Sequence, residues 1–239
     1  MSDVNTAASP KTPSPKHSLE AFGLTILKSQ HKDIRRLKRE GDDASLHGNK
    51  VWKSAQLLID YLREFPPEPG CRILELGCGW GLSGIYCAKH HACEVVGLDA
   101  DDSVFPYTEL HAELNGVEVG LFQGRFEDIT VEDLEGFDMV IGADICFWDE
   151  LTPVIQALVE RALEAEVPRI VLADPGRPPF REMAEYIDAQ YADQIAQLDY
   201  TDWTIPEPHN VWGLILDLDT QAKDVTRDPE SPPVSSHTV

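Results

Sequence analysis

The residues best suited to chemistry are an acid followed by three alternating glycines, with a second acid about twenty residues further along the chain. The run from Glu75 to Gly81 reads E-L-G-C-G-W-G and follows a short apolar segment. Glycine adopts positive φ readily and lets a ligand approach the backbone, while a helix that starts after the glycines offers unpaired N–H groups and a positive dipole end. Asp99 ends the next apolar segment, where its carboxylate could accept both hydroxyls of a ribose. These residues indicate a site for a ribose-bearing ligand.

Strands alternate with helices around these residues, which predicts βαβ units and a mostly parallel sheet with helices on both faces. The helix at 150–163 is the clearest, because its apolar residues recur at i, i+3, i+4, i+7 and i+8. The last two apolar segments, 195–200 and 211–218, have no helix between them, which predicts an antiparallel hairpin. The other predicted strands are 71–76, 94–98, 117–122, 137–141 and 169–172, and the other predicted helices are 49–65, 82–91, 103–115 and 179–191.

Ligands of such sheets bind outside the carboxyl ends of the strands. The segments that follow the predicted parallel strands are therefore the candidates for a binding site: 75–81, 99–101, 124–127, 142–147 and 174–178.

The composition is that of a globular protein, with 239 residues of which 42% are hydrophobic and 26% charged. This excludes a wholly disordered, collagenous or disulfide-scaffold protein. No apolar run reaches ~18 residues and the N-terminus lacks the apolar core of a signal peptide, so we expect no membrane association and a cytoplasmic location. Five cysteines without a C-x-x-C pair indicate reduced thiols, and no metal site is expected because no four-ligand spacing is present.

The formal net charge of −22 is the strongest compositional signal. A surface of this charge repels phosphate backbones, so we expect no nucleic-acid partner and easier approach by basic or neutral molecules. The segment 28–39 is locally basic, which fits either a handle for an acidic partner or an ordinary solvated helix face.

The glycine run differs from a dinucleotide-binding fingerprint, because the third glycine of G-x-G-x-x-G would fall at position 82, which is Leu82. The pattern E-x-G-x-G-x-G instead resembles motif I of the class I S-adenosylmethionine (SAM) methyltransferases. The alternatives are a turn without a ligand and NAD binding. The resemblance implies an α/β fold: a Rossmann-like three-layer sandwich with a seven-stranded, mostly parallel sheet, a C-terminal antiparallel hairpin and an N-terminal helical segment.

This resemblance implies SAM as the cofactor and a set of residues that contact it. Phe126 could pack on the adenine or simply belong to the core, and Trp52 could line the cofactor site or be a core aromatic. The cofactor-binding residues that the resemblance implies are Trp52, Glu75, Gly77, Cys78, Gly79, Gly81, Asp99, Ala100, Arg125, Phe126 and Asp144.

Two further motifs concern the methyl acceptor. Asp144 and Phe147 form a D-x-x-F pattern that resembles the (D/E)-x-x-(Y/F) motif of methyltransferase family 16, a branch of lysine methyltransferases. The string D-P-G-R-P at 174–178 is similar to a loop of the electron-transfer-flavoprotein β-subunit lysine methyltransferases. The resemblance implies catalytic roles for Asp144, which would orient the amine and favour its proton loss, and for Phe147, which would wall the amine. Arg177 could hold an acidic group of the substrate or pair with an acid of the protein surface.

We therefore expect a SAM-dependent N-methyltransferase that modifies a lysine side chain of a protein. The alternatives are a small-molecule N-methyltransferase and a non-catalytic SAM-binding module. The expected organisation is a disordered tail at 1–17, an N-terminal helical extension at 18–48, a SAM-dependent methyltransferase domain at 49–220 and a second disordered tail at 221–239.

Overall fold

The computed structural model describes residues 16–40, 52–193 and 195–221. An N-terminal hairpin comes first, with strands β1 (Ser18–Ala21) and β2 (Leu24–Leu27), followed by helix α1 (Lys32–Glu40). The remaining strands are β3 (Arg72–Leu76), β4 (Glu94–Asp99), β5 (Gly120–Gln123), β6 (Met139–Ala143), β7 (Arg169–Asp174), β8 (Gln197–Ile205) and β9 (Val211–Asp219). The remaining helices are α2 (Lys53–Glu64), α3 (Leu82–His91), α4 (Phe105–Asn115), α5 (Val131–Leu134), α6 (Thr152–Glu164) and α7 (Pro178–Tyr191).

The main sheet has the strand order β5-β4-β3-β6-β7-β9-β8. The five strands from β5 to β7 in that order run parallel, and β9 is antiparallel to both β7 and β8. The predicted seven-stranded, mostly parallel sheet with a C-terminal hairpin is therefore confirmed. The strand order reverses between β3 and β6, which is the topological switch point where ligands of such sheets bind.

The core consists of two apolar clusters, one on each face of the sheet. Leu57 of α2 and Ile85 of α3 are fully buried in the first cluster, and Ile155 of α6 and Phe180 of α7 are as deeply buried in the second. Burying side chains of this size stabilises the fold by about 1.5–3 kcal/mol each. The sheet is thus covered by α2, α3 and α4 on one side and by α6 and α7 on the other, as the predicted alternation requires.

The N-terminal segment differs from its prediction as a helical extension over 18–48. Helix is present over Lys32–Glu40, but Ser18–Leu27 forms a two-stranded hairpin. Phe22 and Gly23 form its turn with φ of 54° and 74°, and two residues of positive φ match the twist that a β-hairpin needs. Residues 41–51 and most of both predicted tails (1–15 and 222–239) lie outside the described residues.

A second difference is α5, which the sequence analysis did not predict. The Thr130 side chain accepts from the backbone N–H of Asp133, and the Asp133 carboxylate accepts from the N–H of Thr130. This capping box stabilises a single helical turn between β5 and β6. Among the described residues, no helix is both long enough and apolar enough to cross a bilayer.

The hairpin is fastened to α4 by two polar side chains. The His111 Nε2 atom accepts from the Leu27 N–H at 3.1 Å. Asn115 pairs with the backbone of Thr25 in both directions, because its Oδ1 accepts from the Thr25 N–H at 2.9 Å and its Nδ2 donates to the Thr25 carbonyl at 3.0 Å. The side chain of Asn115 thus pairs with the backbone N–H and carbonyl of Thr25, as a neighbouring strand would.

We predict that Asn115→Ala destabilises the protein by about 1–3 kcal/mol, because two backbone groups of Thr25 lose their partners at a partly buried contact. Urea unfolding followed by circular dichroism measures the change. Glu113→Ala, at an exposed position of the same helix, is the matched control and should stay within about 0.5 kcal/mol of wild type. Equal stabilities of the two variants would contradict this account of the docking.

Candidate active site

A cavity of about 330 Å³ opens at the carboxyl ends of the parallel strands. Its volume falls in the range of small-molecule sites. Every predicted site residue except Gly81 lines it: Trp52, Glu75, Gly77, Cys78, Gly79, Asp99, Ala100, Arg125, Phe126, Asp144 and Phe147. The fold therefore brings together residues that are spread over about a hundred positions of the sequence, while their individual roles stay predictions.

The loop after β3 has the backbone conformation that its glycines permit. Gly77, Gly79 and Gly81 have φ of 58°, 51° and 67°, a region that other residues seldom adopt. A Cβ atom on Gly77 would lie 2.8 Å from Ile145 Cγ2, and one on Gly81 would lie 2.4 Å from Thr108 Cγ2. Gly81 is thus required by the packing of α3 against α4, whereas Gly77 allows Ile145 to pack against the loop.

Asp99, at the end of β4, is tied to this loop by backbone hydrogen bonds. Its Oδ2 atom accepts from the Gly79 N–H at 3.1 Å and its Oδ1 atom from the Asp101 N–H at 3.0 Å. Partial burial raises the pKa of Asp99. The two bonds fix the carboxylate at the cavity wall, and since a carboxylate oxygen can accept more than one hydrogen bond, the group can still accept from ligand hydroxyls.

Glu75 organises the same loop from the inside. The side chain is buried, and its Oε2 atom accepts from the Gly84 N–H at 3.1 Å in the first turn of α3. A Cβ atom on Gly84 would lie 2.6 Å from that oxygen, so Gly84 is a site residue that the sequence analysis missed. The sequence feature that could have indicated Gly84 is a residue without a side chain in the first turn of the helix, where the Glu75 carboxylate must come close. Burial raises the pKa of Glu75 to about 7.

The predicted adenine end has mixed character. The Phe126 ring is half-buried, packs against the core on the α6 side and comes 3.6 Å from the Cβ position of Gly77. The Arg161 guanidinium donates to the Phe126 carbonyl at 2.7 Å, which holds the backbone of this turn. Phe126 therefore both packs against the core and lines the cavity. Arg125 lies exposed at the rim, and Trp52 is half-buried immediately before α2.

Asp144, at the end of β6, is a buried carboxylate in a strained conformation. Its φ is 63°, a left-handed value that aspartate adopts more easily than most residues. Its backbone N–H donates to the Ala173 carbonyl at 2.9 Å. The strand end therefore turns sharply and directs the next residues along the cavity wall.

Arg177 joins Asp144 to a second buried acid. Its Nη2 atom lies 2.5 Å from Asp144 Oδ1 and 2.5 Å from Asp174 Oδ2. Asp174 is 1% exposed, and its Oδ1 atom also accepts from the backbone N–H groups of Gly176 and Arg177 at 2.8 Å each. From the sequence, Arg177 is expected either to hold an acidic group of the substrate or to pair with a surface acid of the protein. In the structure it pairs with two acids of the protein, and both are buried at the site.

Two aromatic rings complete this side of the cavity. The Arg177 guanidinium lies 5.6 Å from the Phe147 ring centroid, within the distance of a cation–π contact. Phe147 and Trp148 meet edge to face at 4.4 Å, and Trp148 is 52% exposed at the mouth. Within the described residues, no group of three or more His, Cys, Asp or Glu side chains could hold a metal ion.

Comparisons with known proteins find similarity to methyltransferases. A family model described as a methyltransferase domain matches residues 73–165. The electron transfer flavoprotein beta subunit lysine methyltransferase of Danio rerio is 25% identical over 132 residues, which cover 55% of this chain and 50% of that protein. The ubiquinone biosynthesis O-methyltransferase of Hahella chejuensis is 29% identical over 112 residues, covering 47% of each. The chain thus spans about half the length of these two relatives.

A solved structure agrees with the fold. The ribosomal protein L11 methylase from Lactobacillus delbrueckii subsp. bulgaricus superimposes with a TM-score of 0.51 at 16% sequence identity, covering 72% of this chain and 80% of that one. At this identity the likeness concerns the fold alone.

We predict that Glu75 makes the stability of the ligand-free protein depend on pH. Because its pKa is raised from 4.5 to about 7, the stabilisation by the protonated carboxyl is present below the unfolded value and is lost as the pH rises through the folded one. Between about pH 4 and about pH 8, the unfolding free energy of wild type should fall by about 3 kcal/mol relative to that of Glu75→Gln. Urea titrations across this range measure the difference, and Glu127→Gln at the exposed rim should follow wild type. Parallel curves for Glu75→Gln and wild type would contradict the argument.

Proposed function

We propose that this chain is a class I SAM-dependent methyltransferase and that it transfers a methyl group to the side-chain nitrogen of a lysine in a protein. The match to a methyltransferase domain over residues 73–165 and the order of the strands support the first part. The observation that carries the proposal is the cavity itself. It has a glycine loop and Asp99 at one end, and a buried acid beside an aromatic ring, Asp144 with Phe147, at the other. A cofactor and an acceptor amine therefore have separate places in one cavity.

The cofactor end fits SAM on three features of the residues present. Gly77 lets Ile145 and Phe126 pack beside the glycine loop, Asp99 is held where it can accept from ribose hydroxyls, and Phe126 offers a ring for the adenine. Cys78, Gly79, Ala100 and Arg125 are proposed as the backbone and rim contacts around these three. When bound, SAM supplies a methyl group on a sulfonium centre, which the lone pair of a nitrogen can take by in-line displacement.

At the acceptor end, the chain must present an amine without its proton, since the ordinary pKa of lysine is ~10.4. We assign Asp144 to orient the incoming ammonium group and to favour loss of its proton to water. The Phe147 ring would form the cavity surface beside the nitrogen. Arg177 holds the Asp144 carboxylate at 2.5 Å, so the amine shares this acid with a fixed guanidinium. Most of the rate would come from alignment of the reacting groups and exclusion of water.

A protein is the proposed acceptor for two reasons. The chain carries a net charge of −22, which attracts a basic segment, and Trp148 stands half-exposed beside the mouth, where it could contact a polypeptide. Similarity to a lysine methyltransferase from Danio rerio supports the same class. The second candidate is a small-molecule acceptor, which similarity to a ubiquinone biosynthesis O-methyltransferase favours. A cytoplasmic location and the lack of nucleic-acid, membrane and metal partners stay predictions.

We predict that Asp99→Ala raises the Kd for SAM by about 10- to 100-fold, because charge-assisted hydrogen bonds to the ribose are lost. Isothermal titration calorimetry measures the affinity. Asp102→Ala, three positions further on and exposed, controls for the loss of one negative charge near the site and should bind SAM as wild type does. Unchanged affinity in Asp99→Ala would overturn the assignment of this carboxylate.

The function is tested by incubating the protein with methyl-tritiated SAM and a cell lysate from which small molecules have been removed or retained. We expect label in acid-precipitable protein, released as methyl-lysine on hydrolysis. Asp144→Asn should lose about 100-fold or more of this activity while its SAM affinity stays within a few-fold of wild type, and Asp149→Asn on the exposed loop should retain activity. Label confined to the small-molecule fraction would favour the second candidate, and no label in either fraction would support the non-catalytic alternative.

A further inference from the structure

Two cysteines lie close together at the end of the sheet opposite the cavity. Cys71 comes directly before β3 and Cys93 directly before β4, and their Sγ atoms are 3.5 Å apart. They are 9% and 6% exposed and belong to the same face of the sheet. Neither takes part in the proposed transfer reaction, so the proximity needs an explanation of its own.

The backbone between them is suited to a covalent link. Arg72 and Glu94 are paired residues of the parallel strands, and the Glu94 N–H donates to the Cys71 carbonyl at 3.0 Å. Neighbouring strands lie about 4.8 Å apart, which is within the Cα separation of natural disulfides. The two sulfur atoms would have to approach by about 1.5 Å to reach bonding distance, a movement that side-chain rotation can supply.

The two thiols differ in acidity. Hydrogen bonds from the Cys71 thiol and from the backbone N–H groups of Gly70 and Cys71 lower the pKa of Cys93. The same contact and burial raise the pKa of Cys71. Cys93 is therefore the better nucleophile of the pair, with Cys71 placed to follow it.

The other thiols have no such arrangement. Cys87 and Cys146 are fully buried, and burial raises the pKa of each, that of Cys146 to about 11. Burial also raises the pKa of Cys78 in the glycine loop. These three cysteines serve as internal comparisons for the reactivity of the pair.

We propose that Cys71 and Cys93 are a redox modification site, which hydrogen peroxide oxidises to an intramolecular disulfide. The Cys93 thiolate attacks one peroxide oxygen, which gives a sulfenic acid and releases hydroxide. The Cys71 sulfur then attacks the Cys93 sulfur, the S–O bond breaks, and the oxygen leaves as water with the Cys71 proton. In total, two thiols are oxidised and one peroxide is reduced to two waters.

The link would close a loop of 22 residues, which contains β3, the glycine run and α3 and ends directly before β4. Closing such a loop restricts the unfolded chain more than the folded one. For a protein of this size we expect the Tm to rise by about 5–10 °C on oxidation. The sulfur atoms lie at the amino ends of the strands, so the expected SAM affinity is unchanged.

The proposal is tested on the full chain, reduced, freed of reductant and then treated with hydrogen peroxide. Trypsin cleaves after Arg63, Arg72, Lys89 and Arg125, so Cys71, Cys93 and the pair Cys78/Cys87 fall on three different peptides. After free thiols are alkylated, mass spectrometry of the unreduced digest should show peptide 64–72 joined to peptide 90–125. The Tm should rise in wild type and in Cys146→Ser but not in Cys71→Ser or Cys93→Ser.

The digest of wild type tests for the Cys71–Cys93 disulfide even if a serine variant fails to fold. Full alkylation of both cysteines after peroxide treatment would overturn the proposal, as would sulfinic acid on Cys93 without the linked peptides. A disulfide that joins either cysteine to Cys78 or Cys87 would overturn it as well. None of these results bears on the methyltransferase proposal, because the site and the cysteine pair lie at opposite ends of the strands.

Discussion

Burial of the Glu75 carboxylate beneath the first turn of α3 is the interaction on which the cofactor end of the cavity depends. The acid accepts from the Gly84 N–H, one of the unpaired donors at the start of the helix. This bond sets the distance between β3 and α3, and the glycine loop must bridge that distance. The loop then positions Gly79, whose N–H holds Asp99 at the end of the neighbouring strand. One buried acid thus orders two adjacent strand ends, and the desolvation that raises the pKa of Glu75 is the energetic cost.

The fold and the cofactor end were predictable because their signals are local. Alternating strands and helices fix the parallel sheet, and the glycine run fixes the turn after β3, so Glu75, Gly77 and Asp99 could be placed from the sequence. The hairpin at Ser18–Leu27 was missed because its basic surroundings resemble a helix, and its turn uses Phe22 at positive φ. Few sequence rules anticipate a bulky residue there.

The acceptor end was less predictable because its central interaction joins positions far apart in the chain. Asp144 and Arg177 are 33 residues apart, and only the adjacency of β6 and β7 brings them together. The string D-P-G-R marked this loop as a candidate. The sequence did not reveal that Asp174 would be buried and would accept a hydrogen bond from the Arg177 guanidinium. The Arg177 guanidinium offsets one of the two negative charges of Asp144 and Asp174, so Asp144 can remain buried at 8% exposure beside a positive partner.

The N-terminal hairpin also contributes to the shape of the site, because a series of contacts connects it with the cavity wall. His111 receives the Leu27 N–H at Nε2, and its Nδ1 atom pairs with the Tyr107 carbonyl at 2.7 Å. Both contacts are satisfied together only by the neutral imidazole with its proton on Nδ1, and burial lowers the pKa of His111 to about 4, which keeps the ring neutral. The ring stacks on Trp80 at 5.0 Å, and Trp80, stacked in turn on Tyr107 at 5.3 Å, lines the cavity. The hairpin therefore fixes a wall of the site through one uncharged histidine, which gives residues outside the parallel sheet a physical role in its shape.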